Sequence, residues 1–180
     1  MGRRIFVLSA LSACAMGLVH VCEGRAALFR PAHLHLAPGA VAALMATPGL
    51  ISFQATNPNS GQVSGSSPGT LTWTVRGGSH LQNWTLSVQS GSSSFTGCPT
   101  IPVAAVRVSC GSASVSGGQG TGACSTSFPL STSPQQIAGG AEGSGNRAYS
   151  VSINFTLAES WRYVANPACT IILTYFVNAP

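Results

Sequence analysis

Apolar and polar residues alternate along most of the chain after residue 50. In the run TLTWTVRG, the side chains of Leu71, Trp73 and Val75 fall on one face, and Thr residues occupy the other. The same period of two appears over residues 84–88 and 151–157. Because successive side chains of a strand point to opposite sides of a sheet, this alternation predicts strands that are buried on one face only.

Seven such runs are separated by stretches rich in Gly, Ser, Asn and Pro. The runs are LISFQAT, TLTWTVRG, NWTLSVQS, AAVRVSC, ACSTSFPL, AYSVSINFTLA and CTIILTYFV. The separating stretches, such as NPNSGQVSGSSPG and AGGAEGSGN, have the composition of turns and loops. We therefore predict an all-β fold, an immunoglobulin-like antiparallel β-sandwich of about 7–9 strands, with a closed barrel as the alternative.

The N-terminus has the composition of a targeting segment. MGRR is followed by the apolar run IFVLSALSACAMGLVHVCEG, which predicts a signal peptide over residues 1–24. An uncleaved membrane anchor is one alternative, and a lipoprotein modified at Cys14 in LSAC is another. In each case the chain leaves the cytosol, so we expect it to be secreted or at the cell surface. Residues 25–48 are interpreted as a linker or loosely ordered arm, and residues 49–180 as the sandwich domain.

Charge is scarce and scattered. Charged residues make up 6% of the chain, and Lys and Asp do not occur. The formal net charge of +5 comes largely from Arg residues near the N-terminus, since only four Arg and two Glu follow residue 49. A nucleic-acid partner requires a basic patch, which this distribution does not supply. The lack of Asp also argues against calcium loops, so we expect no metal and no cofactor.

Four cysteines remain once the predicted signal peptide is removed, and an even number in an exported chain favours disulfides over a metal site. The spacing contains no C-x-x-C pair. Four cysteines allow three connectivities, of which we favour Cys98–Cys110 with Cys124–Cys169. In the first pair, Pro99 would lie in a loop or sheet edge that is tied to the following strand, and closing a loop of this size contributes about 3 kcal/mol.

Catalytic motifs are weak. GSSPG matches the G-x-S-x-G pattern with Ser67 as nucleophile, but Pro68 follows it and no helical run comes next, so we interpret it as a turn. GQGTGA resembles a dinucleotide loop but precedes a strand. The domain offers only Glu142, Glu159 and His80 for acid–base chemistry. We expect no enzymatic activity.

The aromatic residues divide into two groups. Trp73 and Trp84 alternate with Leu and Val, so we predict that they lie in the core. Trp161, Arg162 and Tyr163 lie near a predicted loop and are candidate ligand-contact residues on the surface.

Three segments carry a resemblance to known proteins: LQNWTLSVQS, FTGC and the closing run INFTLAESWRYVANPACTIILTYFVNAP. Over about residues 50–180 the chain resembles uncharacterised secreted bacterial β-sandwich proteins, which consist of a signal peptide and one domain. Through WTL at 84–86 and its last strand it is also similar to the WxL class of bacterial cell-surface proteins. That similarity implies non-covalent association with the cell wall and transfers no catalytic residue.

Together these features predict a secreted or cell-surface structural or adhesive protein without catalytic activity. Its Ser/Thr-rich surface with little charge suits contact with a cell-wall or glycan polymer, or with copies of itself. The alternatives are a carbohydrate-binding module that uses Trp161 and Tyr163, and a small carbohydrate-active hydrolase. The hydrolase would need Glu142 and Glu159 to face each other across a groove, roughly 5–10 Å apart.

Overall fold

The structure, a computed structural model, describes residues 26–36, 41–54, 61–76, 82–158 and 169–178, with side chains from residue 44 onward. Within these ranges it contains fourteen β-strands, one short 3-10 turn and no α-helix. The all-β class predicted from the alternating pattern is therefore confirmed.

The strands follow one another along the chain with short connections. In chain order they are β1 (Ala26–Leu36), β2 (Val41–Thr47), β3 (Ile51–Phe53), β4 (Gln62–Ser64), β5 (Gly69–Val75), β6 (Asn83–Ser90), β7 (Ser94–Phe95), β8 (Cys98–Pro102), β9 (Val106–Ser116), β10 (Ala123–Cys124), β11 (Phe128–Pro129), β12 (Gln135–Ala141), β13 (Arg147–Ala158) and β14 (Thr170–Asn178).

Two sheets face each other across the core. Sheet A has the order β10-β12-β6-β14-β1-β3, and sheet B has the order β11-β9-β13-β5-β2, with β4 pairing to the end of β13. Strands β7 and β8 form a separate hairpin. The pairings are antiparallel, as predicted, except that β1 runs parallel to β14. From β5 onward the longer strands alternate between the sheets, so consecutive long strands lie in opposite sheets.

The core consists of the inward-facing residues of both sheets, as the alternation predicts. Strand β13 buries every second residue, and β5 does the same. Trp73 and Trp84 are 2% and 0% exposed, which confirms their assignment to the core. Fully burying one large apolar side chain contributes roughly 1.5–3 kcal/mol, so these alternating faces supply most of the driving force for folding.

Each of the seven predicted runs contains a strand, but β12 was missed because its sequence, QQIAGGA, resembles a loop. Its small residues give no period-two signal, yet they are needed there. A Cβ on Gly139 would lie 2.9 Å from the carbonyl oxygen of Trp84, and one on Gly140 would collide with the carbonyl of Thr121. The strand is glycine-rich because neighbouring backbone packs directly against it.

The loosely ordered arm predicted for residues 25–48 is wrong for the parts that the structure describes. Strand β1 lies inside sheet A between β14 and β3, and β2 lies beside β5 in sheet B. The pairing of β1 with β14 shifts register between Pro31 and His33. Proline has no N–H to donate to a ladder, so this bulge lets the strand continue past it. The predicted signal peptide over residues 1–24 lies outside the described residues.

The four predicted disulfide cysteines are all paired, but the favoured connectivity is wrong. The bonds are Cys98–Cys169 and Cys110–Cys124, with Cα–Cα distances of 5.3 and 5.4 Å. Proximity in sequence favoured Cys98–Cys110. In the structure, however, the β7–β8 hairpin that carries Cys98 pairs with the first residue of β14, next to Cys169, whereas Cys110 lies in β9 of sheet B. The first disulfide fastens this hairpin to sheet A, and the second joins the two sheets. Two disulfides are typical of proteins from oxidising compartments.

Candidate functional site

The outer surface of sheet B is an array of Ser and Thr side chains that we call the hydroxyl face. It extends over four adjacent strands, β2, β5, β13 and β9, whose opposite sides build the core. Its hydroxyl-bearing members are Thr47, Thr70, Thr72, Thr74, Ser112, Ser114, Ser116, Ser150 and Ser152.

The strand register aligns these residues in rows. One row runs across the sheet from Met45 through Thr72 and Ser150 to Ser114. The next row consists of Thr47, Thr70, Ser152 and Ser112. Neighbouring strands lie about 4.8 Å apart, and side chains on one face repeat about every 6.8 Å along a strand. The hydroxyl groups therefore form a regular two-dimensional pattern.

An open depression of about 250 Å³ lies on this face, over the rows that contain Thr72 and Thr74. Sites that enclose a small molecule are usually about 300–1,000 Å³ and bury most of the ligand. This depression is smaller and open, so it suits contact with an extended surface better than enclosure of a substrate. Its outward-facing lining residues are Met45, Thr72, Thr74, Ser114, Ser116, Ala148 and Ser150.

The hydroxyl groups keep hydrogen-bonding capacity toward solvent. Ser114 Oγ donates to the carbonyl of Ser150 at 3.4 Å, and Ser116 Oγ donates to the carbonyl of Ala148 at 3.3 Å. Each of these oxygens still has lone pairs that accept. Thr72 is exposed, so its hydroxyl group is accessible to a partner.

The charged residues nearest the hydroxyl face lie at its ends. Arg76 directly follows β5, and Arg107 lies at the start of β9, opposite Thr156. The rows between them contain no charged side chain. A partner that depends on ion pairing would find little to bind in the middle of the face, whereas a neutral polar partner would meet mainly hydroxyl groups, with Met45 and Ala148 between them.

An aromatic cluster lies beneath the hydroxyl face. The rings of Trp73 and Tyr149 stack with their centroids 4.9 Å apart, and Trp84 meets both rings edge-on at 5.4 Å. Trp84 Nε1 donates to the carbonyl oxygen of Thr121 at 2.8 Å. Such contacts contribute about 0.5–1.5 kcal/mol per pair beyond area burial. They give the strands that carry the hydroxyl face a rigid support.

A buried ion pair lies at one end of this cluster. Arg147 and Glu142 have side chains that are each 1% exposed, and Arg147 Nη2 lies 3.8 Å from Glu142 Oε2. Arg147 Nη1 also donates to the carbonyl of Gly143, and the Tyr149 hydroxyl donates to the backbone carbonyl of Glu142 at 3.3 Å. Burial raises the pKa of Tyr149, while the nearby Arg147 opposes that shift.

Glu142 is therefore held inside the protein and does not line the depression on the hydroxyl face. Sequence reasoning placed this carboxylate correctly in a glycine-rich loop but did not anticipate its burial. It also missed Arg147 as its partner. The alternation Val151, Tyr149, Arg147, traced backward along β13, puts the guanidinium group on the inward face and could have revealed the pair.

The predicted ligand-contact residues Trp161, Arg162 and Tyr163 lie outside the described residues, as does Glu159. The surface aromatic cluster therefore stays a prediction. Of the two carboxylates expected to face each other, Glu142 is buried beside Arg147, and only the position of Glu159 lies outside the described residues. Ser67 does lie in the described part, in a bend directly before β5, with no helix after it. The strand–turn–helix context that a G-x-S-x-G nucleophile requires is therefore not formed around Ser67.

No group of three or more His, Cys, Asp or Glu side chains that could hold a metal ion occurs among the described residues. The same part of the chain contains no helix that is long and apolar enough to cross a bilayer. Comparisons of the chain with models of protein families, with curated proteins and with solved structures found no match.

Proposed function

We propose that this chain is a secreted or cell-surface structural or adhesive protein without catalytic activity, and that its hydroxyl face contacts a neutral glycan of the cell wall. The observation that carries this proposal is the regular array of Ser and Thr side chains across four strands, with charged residues only at its ends. The similarity to the WxL class, whose members associate with the cell wall, supports the same role.

The energetics favour a polymer over a single small sugar. One hydrogen bond between hydroxyl groups contributes only about 0.5–1.5 kcal/mol net, because each group gives up bonds to water. A flat array gains affinity only when many such bonds form at once on a repeating partner. The open depression, which exposes Met45 beside Thr72, adds a small apolar contact for the faces of sugar rings.

Export is supported by two independent features. The N-terminal segment has the sequence pattern of a signal peptide over residues 1–24. The two disulfides are typical of proteins from oxidising compartments.

The immunoglobulin-like topology belongs to the same proposal. Two packed sheets, alternation of the longer strands between them, and connections that cross from one sheet to the other support it. An experimental structure of the whole chain would test it through the order of strands in the two sheets.

Pull-down with insoluble cell-wall glycan tests the role of the hydroxyl face. In the variant Thr72→Glu, a carboxylate replaces an exposed hydroxyl in the central row. A charge pressed against a neutral partner loses hydration without gaining a counter-ion. We expect the apparent affinity for the glycan to fall about tenfold or more, which corresponds to about 1.4 kcal/mol per factor of ten.

The matched control is Gln136→Glu, which adds the same charge at an exposed position of β12 in the opposite sheet. This variant should bind as the parent protein does. Equal binding by Thr72→Glu and the parent would refute the role of the hydroxyl face, and so would an equal loss in both variants.

A further inference from the structure

The first strand of the domain completes a sheet whose other long strands come from much later in the chain. Strand β1 pairs with β14, the last described strand, through eight residue pairs from Leu28–Thr170 to Leu36–Val177. Its other edge pairs with β3 only over residues 26–29. The strand that follows β1 in sequence, β2, belongs to the opposite sheet, and residues 37–40 are the whole connection between them.

Strand β14 depends on β1 for its hydrogen bonds along one edge. Its inward residues are buried, with Ile171 at 1% and Leu173 at 2% exposed, so the strand belongs firmly to the core. Its opposite edge is occupied by β6. Without β1, a row of backbone N–H and C=O groups would be left unpaired beside an intact core. Such an edge is a template for another strand of matching length and register.

The segment that fits this edge best is the β1 of a second copy of the same chain, because it reproduces every backbone pair and the bulge at Pro31. Exchange of an identical element preserves the contacts of the closed molecule, so it costs little free energy. Short connections favour such exchange, and here four residues join elements of different sheets.

We propose that β1 is exchanged between copies of this protein, so that the first strand of one molecule pairs in parallel with β14 of another. The donor is strand β1 and the acceptor is the edge of β14, and every copy of the protein carries both. The contact is therefore head-to-tail and builds a linear assembly unless it closes into a ring or a reciprocal dimer. This goes beyond the proposed contact with glycan, because it uses sheet A and leaves the hydroxyl face free.

Crosslinking between two single-cysteine variants tests the exchange. The register places position 30 opposite Ile172, whose side chain is 44% exposed. Arg30→Cys and Ile172→Cys are made separately in the full chain, each with Cys14→Ser and Cys22→Ser, so that the introduced thiol is the only one outside the disulfides. The two proteins, carrying tags of different size, are unfolded with their disulfides intact, refolded together and treated with a short bis-maleimide. Exchange gives a band that contains both tags.

The control pair is Ser114→Cys with Ser150→Cys, which are also neighbours in register but belong to β9 and β13 of sheet B. Neither of these strands is exchanged in the proposal, so their mixed band measures random collisions. We expect the mixed band of the first pair to exceed the control severalfold and to increase with protein concentration during refolding. Mixed bands of equal intensity in the two pairs would overturn the proposal.

A second measurement covers the case in which a thiol variant does not refold. Light scattering of the parent protein, refolded at increasing concentration, should show growth from monomers to assemblies. Monomers at every concentration would also overturn the proposal. Neither readout involves glycan, so the failure of the exchange and the failure of the proposed function are distinguishable.

Discussion

The buried pair of Glu142 and Arg147 gives the sharpest test of how this core is held together. In the variant Arg147→Met, the carboxylate keeps its buried position and loses its cation. At an N–O distance of 3.8 Å and an effective dielectric constant of about 20, the attraction between unit charges is about 4 kcal/mol. Breaking a buried pair by removing one partner typically costs about 3–5 kcal/mol. We expect a loss of that size in the free energy of unfolding.

The double variant Glu142→Leu/Arg147→Met separates the pair from its surroundings. It removes both charges and replaces them with apolar side chains of similar volume. Such replacements are often neutral or stabilising, because neither ion then has to be desolvated. We expect the double variant to regain most of the stability that Arg147→Met loses.

Urea unfolding, followed by tryptophan fluorescence under non-reducing conditions, measures these differences. Trp73 and Trp84 lie in the adjacent aromatic cluster and report the transition. Urea is preferred to guanidinium because it adds no ions, and the loss should be nearly the same at low salt and at about 1 M salt, since buried charges are screened little. A loss below about 1 kcal/mol for Arg147→Met, the size expected for an exposed pair, would refute the reasoning, as would a double variant no more stable than the single one.

Three further predictions concern the buried Tyr175 and the two disulfides. Burial raises the pKa of Tyr175 above its usual value, so its contribution to stability is complete below about pH 10 and is lost as the pH rises further. The urea midpoint of Tyr175→Phe should therefore fall less steeply with alkaline pH than that of the parent protein. Parallel curves for the two proteins would contradict this. Cys124 is exposed whereas Cys98 and Cys169 are buried, so a mild thiol should reduce Cys110–Cys124 first, as alkylation and mass spectrometry would detect. The reverse order would show that accessibility does not control reduction. Replacing Cys110 and Cys124 by Ala should lower the free energy of unfolding by about 3 kcal/mol, against about 4 kcal/mol for Cys98 and Cys169, because Cys98–Cys169 closes the longer loop.

The alternating pattern was sufficient to predict the strands that have one buried and one solvated face. It locates β5, β6 and β13, because their side chains change polarity at nearly every step, and β14, whose inward residues Ile171, Leu173, Tyr175 and Val177 recur at every second position. It fails for β12, where Gly139 and Gly140 carry no side chain whose polarity could be counted. It also fails for β1, where the adjacent residues Leu28 and Phe29 and the pair at 31–32 break the alternation, which holds only over HLHL at 33–36; a bulge allows the strand to continue.

The disulfide connectivity could not be predicted because it depends on which strands come together in space. Cys98 lies 12 positions before Cys110 in sequence, yet it is bonded to Cys169 at a sequence separation of 71.

The candidate site could be predicted from the sequence only in part. The Thr residues of β5 were recognised as the outward face, but their alignment with Ser residues of β9 and β13 requires the register, which a single sequence does not supply.

The parallel ladder between β1 and β14 also determines when this molecule can reach its native state. It joins the first described strand to the last described strand, so sheet A is incomplete until residues 170–178 have been synthesised. Contacts between such distant segments carry a large loop-closure cost and slow folding. Sheet A can therefore close only after β14 has been synthesised, and a truncated chain that ends before residue 170 would lack the partner strand of β1.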